Sequence, residues 1–410
     1  MLRETRGRRL LVADVQRALL GGDRVVVVVS AMGRAPDPYA TDSLLELASE
    51  ASSGDSGSAG ALERHNLDLL LSAGETVATG LVALHLCAAG IPAVAFAASR
   101  AGLVTTRDFG RARIQRVEAG RLLDALETGR VPVVAGFQGV TEDGEITTLG
   151  RGGSDITAVA IGAALGARVV EIVKDVKGVM TADPWLVEDA RLLPALSHDD
   201  LLAMSRLGSR VVHHLAVELA RSYEVPLRVR ELGHEGGTHV MTRSETLDLS
   251  EQASAVALAH HERMVLLTMR PARADGAVRL ARLLATPRIG VPLHSVTITP
   301  LGLTACVHAA EVSTVVALAR EDEDTIVEVR SSCAAVAIVG PAGETAFDLL
   351  AAVIARLEAI GVSVLHAQCA QGISLVVDAA DLGPALVHLH ELLRLDGAPA
   401  AEALTLKSLP

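Results

Sequence analysis

Aromatic residues are scarce in this sequence: Trp, Tyr and Phe together make up 2% of the 410 residues, although half of the chain is hydrophobic. The cores must therefore be built from Val, Leu, Ile and Ala. Cysteine is also rare, and no two cysteines form a CxxC pair, which indicates buried thiols in a reducing compartment. The four cysteines are Cys87, Cys306, Cys333 and Cys369.

The sequence also lacks an excess of positive charge. It carries 37 basic and 49 acidic residues, a net charge of -12, which argues against a nucleic-acid or anionic-membrane surface. The N-terminal MLRETRGRRL has no apolar core of a signal peptide. Residues 76–99 contain no Asp, Glu, Lys or Arg and are long enough to span a bilayer, but Gly90-Ile91-Pro92 divides them. We therefore predict a buried helix–turn–strand unit in a cytoplasmic protein without a membrane segment.

Short β-branched runs alternate with helical patterns over the first 230 residues. Because these runs are continuously apolar, both faces of each strand are expected to be buried, which is typical of a largely parallel α/β sheet with ligands at the carboxyl ends of its strands. The predicted strands are 24–29, 93–97, 131–135, 168–173 and 226–230, and the predicted helices are 10–20, 42–52, 75–89, 112–127, 155–166, 198–206 and 210–223. Residues 264–330 and 334–394 each predict strand, helix, strand, strand, helix, which suggests two βαββα modules.

Two segments near the start of the chain have residues suited to a small charged ligand. Ser30-Ala31-Met32-Gly33 is a turn of small residues after a strand of five valines, so its backbone N–H groups can approach an anion. Thr41 is predicted to cap the next helix, whose N-terminus would attract negative charge. The alternative is an ordinary capped helix with no ligand. Glu75 is predicted to open the helix 75–89 and to hold a substrate ammonium. The alternative is a first-turn glutamate that stabilises the helix dipole.

Two further segments resemble anion-binding loops, although the chain has neither the GK[ST] of a P-loop nor a GxGxxG motif. Gly150-Arg151-Gly152-Gly153-Ser154-Asp155 combines glycines, a guanidinium and a Ser/Asp cap, which predicts an anion nest that grips a carboxylate. The alternative is a plain turn. The segment 174–184, KDVKGVMTADP, can wrap a nucleotide with backbone groups, Lys and Asp, and the alternative is a βα connection with surface charges.

Taken in order, these motifs resemble those of the aspartokinases. The similar segments cover nearly all of 8–230 and are VVVVVSAMG, YATDSLLELA, LLSAGE, VVAGFQGVTEDGEITTLGRGGSDITAVA, DVKGVMTADP and VPLRVR. DPYATDSLL and Met180 are most like the diaminopimelate-linked enzymes of Gram-positive bacteria. The resemblance implies an α/β amino-acid kinase fold (three layers, αβα, with a mostly parallel sheet) plus two ferredoxin-like βαββα ACT domains. It implies a kinase domain over 1–245, ACT domains over 262–330 and 333–395, and a C-terminal segment, 396–410, that packs on the first ACT domain.

The resemblance also implies an activity. Aspartokinases use ATP and Mg²⁺ to phosphorylate the side chain of L-aspartate, giving 4-phospho-L-aspartate, the first step toward lysine, diaminopimelate, threonine and methionine. The implied substrate-binding residues are Thr41, Glu75, Arg151, Gly152, Gly153 and Ser154, with Asp155 as the catalytic neighbour. The implied nucleotide-binding residues are Ser30, Gly33, Lys174, Asp175, Val179, Met180, Thr181, Ala182, Asp183, Trp185 and Arg210. No residue is assigned to a metal site of the protein's own.

A homodimer joined through ACT domains and feedback by an amino acid are likewise implied by the resemblance. Thr297 and His366 stand where related enzymes often have Asn and Gln, so the paired donor and acceptor of an amide is lost at both positions. We therefore expect feedback by lysine or diaminopimelate to be weakened or altered.

The sequence departs from the family on the phosphate side. The family's opening strand, Lys-Phe-Gly-Gly-Thr-Ser-Val with its catalytic Lys, is absent, and we expect the natural protein to begin upstream of Met1, which would then be an internal Val codon read as a start. Trp185 stands where Arg is usual, and Arg210 stands where Lys is usual. His213 and His214 are adjacent, and because neighbouring side chains on a helix diverge, we do not assign them to a metal.

A rival interpretation follows from these departures. In it the chain is a catalytically impaired pseudokinase that senses aspartate or an amino-acid effector, since the aspartate side of the site is intact and the phosphate side is depleted. Glutamate kinases and UMP kinases, which are other members of the superfamily, lack this combination of motifs.

Overall fold

The computed structural model describes residues 2–51, 61–209, 211–242, 256–271, 278, 280–282, 293–321, 325–340, 343–369 and 372–396. The chain forms two compact units. The first comprises Met1–Val179, Pro194–His198 and Val211–Thr246, and the second comprises Met180–Leu193, Asp199–Arg210 and Leu247–Pro410. Two earlier segments, 180–193 and 199–210, therefore belong to the unit that the chain forms from Leu247 onward.

Strands and helices alternate in the first unit. Its strands are β1 (Val27–Val29), β2 (Ala93–Phe96), β3 (Leu103–Thr105), β4 (Ile114–Val117), β5 (Val131–Ala135), β6 (Gln138–Val140), β7 (Ile146–Thr148), β8 (Val170–Lys174), β9 (Ala195–Ser197), β10 (Leu227–Glu231) and β11 (Thr238–Met241). Its helices are α1 (Thr5–Leu20), α2 (Thr41–Ala51), α3 (Ala61–Ala88), α4 (Ala98–Ala101), α5 (Gly120–Glu127), α6 (Gly153–Leu165) and α8 (His214–Ser222). Helix α7 (His198–Arg206) begins at the last residue of the segment Pro194–His198 and continues into the second unit.

Three sheets organise these strands. The orders are β1-β5-β2, with all strands parallel, β8-β10-β11-β9, and β4-β3-β6-β7. Every residue of β5 is buried, which explains why its sequence is apolar without alternation. The predicted α/β class is confirmed, and each of the five predicted strands is present.

One helix prediction was wrong. Within the predicted helix 112–127, Ile114–Val117 form β4, which pairs antiparallel with β3, and only Gly120–Glu127 are helical. The two ends of β4 are half-buried and its two middle residues are exposed, so pairing with β3 governs this segment rather than a helical period. The strands β3, β6, β7, β9 and β11, each of three or four residues, were not predicted either.

Helix α3 is longer than predicted, because it begins at Ala61 instead of Glu75. Its part from Glu63 to Ala88 is long and apolar enough to cross a membrane, but 50% of the most apolar window is buried inside the protein. Ala78, Val82 and Leu86 are almost fully buried and join the core of the first unit. Strand β2 follows after a short turn, so the predicted helix–turn–strand unit is confirmed, and α3 packs as a core helix.

A six-stranded antiparallel sheet dominates the second unit, in the order β13-β14-β12-β15-β17-β16. Its strands are β12 (Ala257–Pro271), β13 (Leu293–Thr299), β14 (Gly302–His308), β15 (Thr325–Val339), β16 (His366–Cys369) and β17 (Ile373–Asp378). Besides most of α7, its helices include α9 (Val312–Ala319), α10 (Gly343–Ala359) and α11 (Leu382–Leu392). From β15 onward the elements follow the predicted order of strand, helix, strand, strand, helix.

Some predictions for this half stay untested. The helix predicted near 275–286 lies mostly outside the described residues, although 278 and 280–282 are helical. Of the C-terminal segment 396–410, only Asp396 is described, so its packing on the first ACT domain stays a prediction. The ACT assignment and the domain bounds also remain predictions.

The cysteines divide into two pairs. Cys306 and Cys333 are buried as predicted, and burial raises the pKa of the Cys306 thiol to about 12. Cys87 and Cys369 are exposed, so the prediction of buried thiols was wrong for them. Each lies at or near the end of its element, α3 or β16, where the chain reaches the surface.

Candidate active site

Glu75 lies in the middle of α3, so the prediction that it opens a helix was wrong. The residues between Ala61 and Glu75 include no proline, and the helical pattern continues through them. A helix N-terminus therefore does not stabilise this carboxylate, and the alternative role as a first-turn glutamate is excluded with it. Glu75 is instead an acidic residue within a long, largely apolar helix.

The carboxylate of Glu75 is buried, and one of its two oxygens has a hydrogen-bond partner. Its side chain is 3% exposed, and its Oε1 accepts a hydrogen bond from the Ala31 N–H at 3.2 Å. Its Oε2 is buried without a hydrogen-bond partner among the described residues. Burial raises the pKa of Glu75 to about 7, and the hydrogen bond from Ala31 partly opposes this rise. A buried carboxylate with an unpaired oxygen is unfavourable alone, so this position suits a cation that donates hydrogen bonds.

Gly74 allows the turn after β1 to reach Glu75. A Cβ on Gly74 would lie 2.7 Å from the Tyr39 carbonyl oxygen and 3.0 Å from the Ala31 Cβ. A larger residue would therefore push this segment away from α3. Two motifs that are distant in the sequence thus form one wall of the candidate site.

Thr41 is the first residue of α2, and the Leu44 N–H donates a hydrogen bond to the Ala40 carbonyl oxygen at 3.0 Å. Ala40 therefore occupies the capping position, which corrects the prediction that Thr41 caps the helix. The half-buried Thr41 hydroxyl is not required for capping, so it can contact a ligand.

The second predicted motif forms the turn that leads into α6. Gly152 occupies the capping position with φ of 70°, and a Cβ on it would lie 2.2 Å from the His213 Cβ. Both constraints require glycine, and they correct the prediction of a Ser/Asp cap. Ser154 lies in the first turn of α6, and Arg151 is exposed beside it, where a guanidinium can grip a ligand carboxylate.

Asp155 and Lys174 were predicted from different motifs, and the structure joins them in an ion pair. The Lys174 Nζ lies 3.0 Å from each carboxylate oxygen of Asp155. This pair links the first turn of α6 to the last residue of β8. The Lys174 ammonium thus stands at the carboxyl end of a parallel strand, where sheets of this kind bind ligands.

His213 is a site residue that the sequence interpretation missed. Its ring packs against Gly152, and its backbone N–H donates to Asp155 Oδ2 at 3.4 Å. Burial lowers the pKa of His213, as does the neighbouring His214, whereas Asp155 raises it. The two histidine rings lie 4.4 Å apart because His213 precedes α8, so the assumption that they diverge was wrong. Within the described residues, however, no three His, Cys, Asp or Glu side chains are grouped to hold a metal.

Two further buried groups hold α3 against the strands near the site. Asp68 accepts hydrogen bonds from the N–H and hydroxyl of Thr148, at 2.8 and 2.7 Å, and from the Gly110 N–H at 2.9 Å. The Gln138 side-chain amide donates to the Ser72 carbonyl oxygen at 3.1 Å. The sequence analysis did not select Asp68. The sequence feature that could have indicated its burial is a single carboxylate inside the apolar run LDLLL.

The predicted nucleotide-binding residues are divided between the two units. Ser30, Gly33, Lys174, Asp175 and Val179 belong to the first unit, and Met180, Thr181, Ala182, Asp183 and Trp185 belong to the second. Arg210 lies outside the described residues. The Val179 N–H donates to the Thr238 hydroxyl at 2.8 Å. This hydrogen bond fixes the position of Val179, the last of the predicted nucleotide-binding residues in the first unit. The Trp185 side chain is 93% exposed.

The two predicted effector residues lie together in the second unit. The Thr297 hydroxyl is 3.3 Å from the His366 Nε2, and the Ser295 hydroxyl donates to the Gln368 side chain at 2.8 Å. Strands β13 and β16 occupy opposite ends of the strand order, so side chains of the two sheet edges meet. Their role in binding an effector remains a prediction.

Comparison with known proteins identifies the family. The model of the amino acid kinase family matches residues 2–231. The chain is 33% identical over 398 residues to aspartokinase 1 of Bacillus subtilis (strain 168), and the alignment covers 96% of each protein. The chain belongs to the aspartokinase family.

Solved structures of an aspartokinase share this fold. E. coli aspartokinase III in complex with aspartate and ADP (R-state) has a TM-score of 0.72 at 24% identity, covering 86% of this chain and 79% of that one. The same enzyme in complex with lysine and aspartate (T-state) has a TM-score of 0.67 at 23% identity, covering 92% and 95%. The predicted amino-acid kinase fold is therefore confirmed.

Proposed function

We propose that this aspartokinase binds L-aspartate in its first unit and transfers the γ-phosphoryl group of ATP to the side-chain carboxylate, giving ADP and 4-phospho-L-aspartate. The observation that carries the proposal is the unpaired Oε2 of the buried Glu75, which suits the α-ammonium group of an amino acid. The E. coli relative bound to aspartate and ADP supports the same pair of ligands.

Each end of the substrate has a matching group in the first unit. The α-ammonium would donate a hydrogen bond to Glu75 Oε2. This bond would offset the free energy that the buried carboxylate loses while that oxygen has no partner. The guanidinium of Arg151 would hold a carboxylate through two parallel hydrogen bonds. The remaining substrate-pocket residues that we propose are Thr41, Gly152, Gly153 and Ser154.

The phosphate side depends on positive charge and backbone donors. Lys174 is paired with Asp155 in the free protein, and we propose that it turns to a phosphate oxygen when ATP binds. Ser30, Gly33, Asp175 and the segment 179–183 would contact the nucleotide. In such a reaction the protein positions two anions and neutralises charge on the transferred group, without a covalent intermediate on the protein.

Mg²⁺ is proposed to enter with ATP. It would be held mainly by phosphate oxygens and water, as is usual for Mg²⁺ bound with a nucleotide. Asp155, in the first turn of α6, would supply one carboxylate. Bound Mg²⁺ would neutralise charge on the phosphates during the transfer.

Similarity to a named aspartokinase over 96% of the chain favours an active enzyme over the pseudokinase. We propose that the enzyme is cytoplasmic, because α3, the one described helix that is long and apolar enough to cross a membrane, packs as a core helix. Its product would enter the synthesis of lysine, diaminopimelate, threonine and methionine.

A coupled assay of aspartate-dependent ADP formation tests the proposal, with hydroxylamine added to trap the acyl phosphate. We expect ADP and the trapped product to form in equal amounts. Glutamate is the control, because its extra methylene displaces the acceptor carboxylate from the phosphate. ADP formation that is independent of aspartate would contradict the proposal, and aspartate binding without turnover would establish the pseudokinase.

Replacing Trp185 with Arg is expected to lower the KM for ATP about two- to fivefold, because a guanidinium at this exposed position attracts phosphate but is screened by solvent. The KM for aspartate should not change. An unchanged KM for ATP would show that position 185 does not contact phosphate, and a higher KM would show that the indole itself contacts the nucleotide, for example by stacking on adenine.

We propose that lysine or diaminopimelate binds the second unit of a homodimer, as the lysine complex of the E. coli relative suggests. Thr297 and His366 contact each other and lack amide groups, so the wild type is expected to respond weakly. The double substitution Thr297→Asn and His366→Gln should lower the inhibitory concentration of one of these amino acids about fivefold or more. Tight inhibition of the wild type would contradict this prediction.

A further inference from the structure

Thr181 is a buried anchor of the loop 180–193 in the second unit. Its N–H donates to the Arg191 carbonyl oxygen at 2.8 Å, and its hydroxyl accepts from the Arg191 N–H at 2.9 Å. Its carbonyl oxygen accepts from the Leu258 N–H in β12 at 2.7 Å. The residue is 5% exposed, so these contacts hold the loop closed on itself and against the sheet.

A histidine from the far end of the chain completes this set of contacts. His390, in α11, is 1% exposed, and its Nε2 lies 2.9 Å from the Thr181 hydroxyl oxygen. The hydroxyl accepts one hydrogen bond from Arg191 and still has a proton and a lone pair for the imidazole. Burial lowers the pKa of His390, which favours the neutral ring in this position. Removing either partner would leave a buried polar group unpaired.

Apolar contacts reinforce the same connection. Ala182 and Val187, from the loop, belong to one buried cluster with Leu386 and Leu389 of α11. The neighbouring Leu186 and Ala190 pack against that cluster. The buried side of the loop is therefore part of the core that surrounds α11, while Trp185 lies on its exposed side.

We infer that His390 is a positioning residue for the kinase reaction: through Thr181 it holds the loop that binds ATP. The inference rests on the proposed function, in which Val179 to Asp183 contact the nucleotide. His390 itself touches neither substrate. Any rearrangement of α11 would alter the nucleotide-binding loop through this hydrogen bond.

Steady-state kinetics of Thr181→Val and His390→Leu test this inference. Each substitution removes the hydrogen bond and leaves a similar volume, so we expect the KM for ATP to rise about tenfold. The KM for aspartate should change less than about twofold, because Glu75 and Arg151 are untouched. The double variant should bind ATP no more weakly than Thr181→Val, because that substitution already removes the hydrogen bond shared with His390, together with the one from the Arg191 N–H.

His388→Leu is the matched control, because His388 lies on the same helix but contacts Arg356 and Glu391. We expect wild-type kinetics for it. His390→Gln and Thr181→Ser keep a polar partner, so they should bind ATP more tightly than His390→Leu and Thr181→Val. These two variants still test the inference if His390→Leu does not fold. Equal changes in both KM values, additive single effects, or an equal effect of His388→Leu would overturn the inference.

A binding measurement separates this inference from the proposed activity. Trp185 is the single Trp of the chain and lies four residues after Thr181. Its backbone N–H donates to the side chain of Asp183 in the same loop. Its fluorescence can therefore report titrations with ADP that need no turnover. If the wild type binds ADP but forms none from ATP and aspartate, the proposed activity fails, and the ADP affinities of the variants still test His390. Failure of ADP to bind the folded wild type would overturn both.

Discussion

Replacing Glu75 with Gln is expected to abolish aspartate binding while stabilising the free protein at pH 8. The neutral amide keeps one acceptor oxygen but cannot form an ion pair with the substrate ammonium, so calorimetry should detect no binding at aspartate concentrations that saturate the wild type. Glu63→Gln, an exposed substitution on the same helix, is the control and should bind as the wild type does. Aspartate binding by Glu75→Gln at wild-type affinity would remove Glu75 from the substrate site.

The gain in stability depends on pH in a defined direction. The pKa of Glu75 is about 7 in the folded protein and 4.5 by its ordinary value, which applies to the unfolded chain. Between pH 4.5 and pH 7 the carboxyl group is therefore protonated in the folded protein but ionised in the unfolded chain. The free energy of unfolding of the wild type therefore falls as the pH rises through this window. Gln does not ionise, so denaturant unfolding should show the variant more stable by up to about 3 kcal/mol at pH 8 and nearly equal at pH 4. Equal stability at both pH values would contradict the raised pKa.

The same ionisation should appear in catalysis by the wild type. Below pH 7 the empty site holds a protonated Glu75, which cannot attract an ammonium group. The KM for aspartate is therefore expected to rise as the pH falls through 7, while the KM for ATP changes less. A pH profile of kcat/KM for each substrate measures this difference.

Replacing Arg151 with Ala is expected to weaken aspartate binding, because the substrate carboxylate loses a bidentate partner. The loss is about 2–5 kcal/mol when the bound substrate shields this pair from water. The effect should fall on kcat/KM for aspartate and not on ADP affinity. Arg151→Lys should be intermediate, since an ammonium keeps the charge but not the planar pair of donors. Arg168→Ala, which removes an exposed guanidinium paired with Asp23, is the control. A loss of less than tenfold for Arg151→Ala would place the substrate carboxylate elsewhere.

The parts of the fold and site that the sequence predicted are those set by local composition. Strand β5 is continuously apolar because both of its faces are buried, so VPVVA was sufficient to predict it. The segment from Gly150 to Asp155 was predicted as a tight turn of glycines before a helix, and the glycines at 150 and 152 do adopt positive φ there. Glu75 was singled out correctly as a carboxylate in apolar surroundings, although its place in the helix was wrong.

The parts that the sequence did not predict depend on distant pairing. Segment 114–117 is a strand only because β3 lies beside it. The cap of α2 shifted by one residue, and cap positions follow tertiary packing as much as side-chain preference. The contact between Thr181 and His390 joins residues 209 positions apart, and no local pattern in either segment indicates it.

The chain passes between its two units at five places, after Val179, Leu193, His198, Arg210 and Thr246. No single cut therefore separates them, and a chain truncated at 246 would keep Ala182 and Val187 while losing the apolar residues that bury them. The same interleaving limits recombination between related enzymes. A C-terminal half taken from one relative would meet a loop that was fitted to another, so substitutions in 180–193 and in α11 are expected to be inherited together.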